Sequence, residues 1–154
     1  MNPNDRKILL ELLQDGRMNI SDIADNTDLA RQTVSNRIEE MLKGGIIDSF
    51  EVKPDRKKLG LNMKAYVMVE AEPSGDDLKL FKGLTDQDFI TELHIVYGKY
   101  DLIVEILTRN ERDLDKVLED LRSYPEVRNT ETFIVNKTMK ENHSKPFFKV
   151  LTQD

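Results

Sequence analysis

An α+β fold in two parts is what this 154-residue sequence predicts, and three observations predict it. Apolar residues recur at helical spacing through roughly the first 45 positions. From Lys64 the period changes to two, and strand-like and helical segments then follow in the order β-α-β-β-α-β, a ferredoxin-like pattern. Between the two regimes lies a charged, turn-like run, Lys53-Pro54-Asp55-Arg56-Lys57-Lys58. The predicted organisation is a helical domain over 1–52, a linker over 53–62, and a C-terminal domain with a polar tail over 63–154.

Each element has a local reason. Asn4 and Asp5 suit the start of a helix over 4–14, in which Ile8, Leu9, Leu12 and Leu13 make one apolar stripe and Asp15-Gly16 makes the stop. Asn19, three residues before Asp22, caps a short helix over 21–26 that packs through Ile20, Ile23 and Ala24. After the polar turn Asn26-Thr27-Asp28-Leu29, a third helix runs over 31–43. Val34, Ile38, Met41 and Leu42 form its stripe and Gly44-Gly45 its end. Ile46 to Val52 reads as a short strand.

In the second half, strands are predicted over 65–71, 89–97, 100–108 and 127–135, with Gly98-Lys99 as a tight turn. Helices are predicted over 76–84, with Leu78 and Phe81 inward, and over 111–123, where Leu114, Val117, Leu118 and Leu121 share a face and Tyr124-Pro125 ends the run. The tail from 138 carries one apolar cluster, Phe147, Phe148, Val150 and Leu151.

Composition narrows the chemistry. The absence of cysteine excludes disulfides, thiolate metal sites and cysteine nucleophiles. No stretch approaches 18 apolar residues and no signal-like segment follows Met1, so the expected location is the cytoplasm, without a membrane partner. The net charge of −6 argues against coating nucleic acid through bulk charge. Residues 1–60 hold ten Lys/Arg against eleven Asp/Glu, so any DNA contact must come from local geometry or from several copies acting together.

That geometry is available. Two short helices joined by a tight turn, the second polar on its outward face, form a helix-turn-helix suited to the major groove of double-stranded DNA. Arg31, Gln32, Thr33, Ser35 and Asn36 lie where such a helix meets base edges: Arg pairs with guanine, Gln and Asn with adenine, and Ser and Thr with either or with phosphate. Arg37, at the edge of the apolar stripe, is expected on the DNA backbone, joined by Lys43, Lys53, Arg56, Lys57 and Lys58. The same pattern also fits a three-helix bundle with a solvated polar face.

The motifs in order resemble one family. Asp5-Arg6-Lys7-Ile8-Leu9, Asp15-Gly16-Arg17, Ile23-Ala24, Leu29, Thr33-Val34, Arg37-Ile38, Gly45-Ile46-Ile47 and Leu59-Gly60 resemble the Lrp/AsnC "feast/famine" regulators. So do Gly98-Lys99-Tyr100-Asp101, Pro125-Glu126-Val127 and Thr132 in the second half. The resemblance implies a winged-helix-like helix-turn-helix domain followed by a ferredoxin-like ligand-sensing (RAM) domain. It also implies dimers formed through the sheets, which assemble into tetramers, octamers or larger rings. Two departures stand out. Ala30 occupies the place of the usual serine cap, at a cost of ~1 kcal/mol, and Glu126 stands where glycine is common.

Family members bind amino acids near the glycine-x-tyrosine-aspartate turn, so the resemblance makes Gly98, Tyr100 and Asp101 candidate effector residues. Asp101 would receive an α-amino group, and Thr130 and Thr132, on one strand face, would add hydroxyls. No cofactor is expected beyond such an amino-acid effector. In the third strand Leu102, Val104 and Ile106 point one way and Ile103 and Leu107 the other, so both sheet faces are expected to be buried, the open one by a second copy of the chain. The alternatives are an enzyme like the distantly related siroheme decarboxylases, with His94 as the residue to suspect, and a sensor module that no longer binds DNA.

Overall fold

The computed structural model describes residues 1–72 and 77–153, with side chains inside the fourth helix described from Leu80 on. The chain divides into two compact units. Met1–Lys53 and the tail from Lys140 form one; Pro54–Met139 form the other.

The first unit is built on three helices, α1 (Pro3–Gln14), α2 (Ile20–Thr27) and α3 (Arg31–Lys43). The cap of α1 is Asn2 rather than Asn4. The Asn2 side chain accepts from the Asn4 amide at 2.9 Å, and the Asp5 carboxylate accepts from the Asn2 amide at 3.2 Å, closing a capping box around Pro3. Asn19 caps α2 as expected, accepting from the Asp22 amide at 2.9 Å. Asp28, the C-cap of α2, adopts the left-handed conformation (φ 57°) and sets the turn into α3. Ile8, Ile23, Ala24, Val34, Met41 and Ile47 make the core between the helices.

Two expectations change here. The strand predicted over Ile46–Val52 does not form. The Ile46 and Ile47 amides turn back to the Met41 carbonyl at 2.9 and 3.1 Å, Ile47 enters the core, and the rest finds no strand to pair with. An extended segment needs such a partner to be stable. The tail, expected with the second domain, folds with the first: α6 (Lys145–Thr152) packs on α1 and buries Leu151. Its apolar side has a surface to cover, because Leu10 and Leu13 of α1 are half-buried yet lie outside the three-helix core.

The second unit is a four-stranded antiparallel sheet in the order β2-β3-β1-β4, from β1 (Met63–Ala71), β2 (Ile90–Ile95), β3 (Leu102–Thr108) and β4 (Val127–Ile134). Helices α4 (Asp77–Thr85) and α5 (Glu111–Arg122) cover one face. Val67, Val69, Leu102, Val104 and Ile106 meet Leu80, Leu84, Leu114, Val117 and Leu121 there, as the period-two and period-3.6 patterns require. In α4 the buried residues are Leu80 and Leu84; Phe81 packs at the core margin, and the inward placement of Leu78 falls outside the described residues. The segment expected as a linker is an ordered turn of this unit. Asp55 accepts from the Lys57 and Lys58 amides at 3.0 and 3.2 Å, and the Leu61 amide bonds to the Arg56 carbonyl at 2.8 Å.

Candidate nucleic-acid interface and sensor turn

Burial of Val34 and Met41 fixes which side of α3 faces outward. Arg31, Gln32 and Asn36 are exposed on it, with Thr33 and Ser35 half-buried at its flanks. The Gln32 amide donates to the Asn36 side chain at 2.8 Å, so two side chains able to read adenine stand side by side, one turn apart. The helix starts at Ala30 with no side-chain cap, leaving the first-turn amides and the Arg31 guanidinium at an open end. Further along, Glu39 pairs with Lys43 at 3.8 Å, so the polar end and not the whole helix is suited to a phosphate-rich groove.

Arg37, expected on the DNA backbone, is paired within the helical unit. Its Nε and Nη2 donate to the two carboxylate oxygens of Asp5, each at 2.7 Å, and its Nη1 bonds to Glu40. The hydrogen bonds from Arg37 hold the Asp5 carboxyl below its ordinary pKa, outweighing the opposing effect of burial. Among the other cations named from sequence, Lys53 pairs with Glu141 at 3.1 Å and Arg56 donates to the Leu61 carbonyl at 3.4 Å, whereas Lys57 and Lys58 stay exposed.

The turn between β2 and β3 spans Tyr97 to Tyr100 and is closed by the Val96 amide on the Asp101 carbonyl at 2.9 Å, longer than the tight two-residue turn expected. Gly98 has φ 151°, outside the range that side-chain-bearing residues favour. Lys99 donates to the Tyr100 hydroxyl at 2.8 Å, and that hydroxyl donates to Glu131 on β4. Asp101 accepts from the Ala71 amide at 2.8 Å, so one of its oxygens already secures the end of β1.

Thr130 and Thr132 do not join this group. They pair with Val69 and Val67, which point into the core, and Thr130 accepts from Arg122 of α5 at 2.9 Å. They line the helix-covered face, while Glu131 between them points to the open face with Tyr100. The two threonines are separated from the turn by the sheet itself, because alternate residues of a strand face opposite sides.

The open face is less apolar than expected. Between Ile103 and Leu107 lies Glu105, which accepts from Lys64 at 2.8 Å, from the Tyr66 hydroxyl at 2.8 Å and from Thr91 at 2.8 Å. Burial would raise the Glu105 pKa, but these donors together lower it; burial likewise opposes ionisation of Lys64, and Glu105 outweighs it and raises the lysine. Around this network Ile103 and Leu107 are half-buried and Phe133 is 48% exposed. His94 shares the face beside Glu92 at 3.1 Å.

Residues 1–48 match a family model described as winged helix-turn-helix DNA-binding, and residues 64–144 match the Lrp/AsnC ligand-binding domain. The chain belongs to the Lrp/AsnC family. The helix-turn-helix transcriptional regulator FL11 of Pyrococcus horikoshii is 33% identical over 142 residues, covering 92% of this chain and 93% of its own length. AsnC of Escherichia coli shares the fold with a TM-score of 0.84 at 24% identity, over 92% of this chain and 95% of AsnC. A Neisseria meningitidis transcriptional regulator solved in complex with L-Met superposes with a TM-score of 0.89 at 18% identity, over 97% and 99% of the two chains.

This Lrp/AsnC protein is therefore a DNA-binding transcriptional regulator, and its relatives favour that reading over an enzyme on the same domain order. Among the described residues no helix is long and apolar enough to cross a membrane. Sequence reasoning missed three residues that the regulator's fold brings into play. Asp5 is tied to α3, Glu131 to Tyr100, and Glu105 sits at the centre of the open sheet. Glu105 could have been found from alternation alone, since it shares the parity of Ile103 and Leu107. Asp5 and Glu131 carry no such local signal, because their partners lie 32 and 31 residues away.

Proposed function

We propose that this regulator binds specific sites as a homo-oligomer, reading bases with Arg31, Gln32, Ser35 and Asn36 while Thr33 and the first-turn amides of α3 hold phosphate. The observation that carries the reading is the exposed polar start of α3 above a buried apolar stripe. Two such helices in a dimer enter successive major grooves about one turn apart. The partly covered open sheet, with Phe133 exposed and Glu105 already satisfied, supports a second copy as its cover, and further assembly into tetramers or octamers follows from repeating such contacts.

An amino acid or related metabolite is the effector of this reading, taken up at the rim formed by Gly98, Tyr100 and Asp101. The L-Met bound by the Neisseria relative supports that class. The other oxygen of Asp101 suits an α-amino group, and bound effector changes DNA affinity only by its preference between assembly states. The protein works in the cytoplasm.

The test is binding to the DNA upstream of the protein's own gene, titrated against salt. Tight binding relative to random DNA, weakening steeply as salt rises, is the expected result. Arg31→Ala should cost roughly 1–3 kcal/mol on that site and relax its preference; unchanged affinity and preference would remove Arg31 from the reading set.

A further inference from the structure

We propose that Asp5 and Arg37 are positioning residues for DNA reading, and that Arg37 acts through the orientation of α3 and not through phosphate. All three guanidinium nitrogens of Arg37 are engaged, two by the Asp5 carboxylate at 2.7 Å each and one by Glu40. Asp5 is itself held: it is 2% exposed and closes the capping box at the start of α1. The fork thus joins the N-terminus of one helix to the second turn of another.

The need for such a joint comes from the start of α3. Ala30 provides no side-chain cap, so no cap hydrogen bond fixes the turn that carries Arg31 and Gln32. The packing of Val34, Ile38 and Met41 holds the helix to the domain, but apolar packing is non-directional. A rotation of about 20° about the helix axis moves a point on its surface, about 5 Å out, by roughly 2 Å. That is more than a bidentate base contact tolerates. A planar bidentate pair has one favoured direction and sets the rotation that apolar contacts leave loose.

The inference rests on the regulator reading specific DNA, so the intact wild-type protein is measured first on its upstream site and on random DNA; a wild type without preference would indict the choice of site, not the pair. Full-length Asp5→Asn, Arg37→Gln and Arg37→Lys are then compared by fluorescence anisotropy across a salt series. Positioning predicts that each variant loses roughly tenfold in the ratio of specific to random affinity, with the salt slope unchanged. Arg37→Lys is decisive, because it keeps the charge and loses the fork, and it serves alone should Arg37→Gln fail to fold. The proposal is overturned if Arg37→Lys retains the wild-type ratio. It is equally overturned if Arg37→Gln weakens both DNAs alike and lowers the slope by about 0.9 while Asp5→Asn does not, the behaviour of a lost phosphate contact.

Discussion

Asp28 and Asp5 show how single side chains decide the DNA-binding unit. Asp28 holds φ 57° at the turn between α2 and α3, a conformation that short polar residues tolerate and branched ones do not. Asp28→Val should therefore destabilise the unit by about 1–2 kcal/mol, whereas Asp28→Gly should leave it as stable or more so; thermal melts of the two variants separate the outcomes. Asp5 makes a pH prediction. Its folded pKa lies below the ordinary 3.8, so its ionisation contributes stability that is fully present above that value and is lost as pH falls through the lower folded value. In urea titrations across pH, Asp5→Asn should be less stable than wild type near neutrality. The gap should close as acid protonates the wild-type carboxyl, and a pH-independent gap would contradict the ion-pair account.

At the scale of elements, two helices depend on contacts their own sequence does not announce. A Cβ placed on Gly83 of α4 would lie 2.1 Å from the Tyr124 hydroxyl, with the ring close behind. Gly83→Ala should destabilise the sensor domain by about 1–3 kcal/mol through overpacking, although alanine is the better helix former; an alanine-stabilised domain in a denaturant melt would show that Tyr124 moves aside freely. Helix α6 is eight residues long and too short to persist alone. Its stability comes from α1, where Leu151 is 8% exposed. Leu151→Ala should cost about 2–3 kcal/mol and speed amide exchange in α1, which is where hydrogen exchange would look for it.

For the whole molecule, the consequence lies in the open sheet. A buried Lys64–Glu105 pair at 2.8 Å beside half-buried Ile103 and Leu107 is poor decoration for a surface facing water, and good specification for a face that meets another copy. Ile103→Arg should shift the protein to a smaller species in sedimentation without unfolding it, and DNA affinity should fall with the loss of the second recognition helix. A variant that sediments like wild type would place the interface elsewhere. The net charge of −6 belongs to this scale as well: it opposes a hold on DNA through bulk charge, and the proposed oligomer would offset it by presenting several helix starts together.

Read alone, the sequence determined whatever depends on near neighbours. The spans of α1 to α5 within a residue, the Asn19 cap, the uncapped Ala30, the placing of Gly98 in the turn between β2 and β3 and the β-α-β-β-α-β order all follow from local spacing and backbone preference, and so does the exposed set Arg31, Gln32 and Asn36. Tertiary structure alone decided what depends on partners far along the chain. It paired Arg37 with Asp5, put Thr130 and Thr132 behind the sheet, withheld the strand after α3, and returned the C-terminal helix to the first unit. The physical reason is the same in each case. Period and propensity assign a residue to a face, but which charge, strand or helix meets that face is set by packing between segments tens of residues apart, and no local window contains that information.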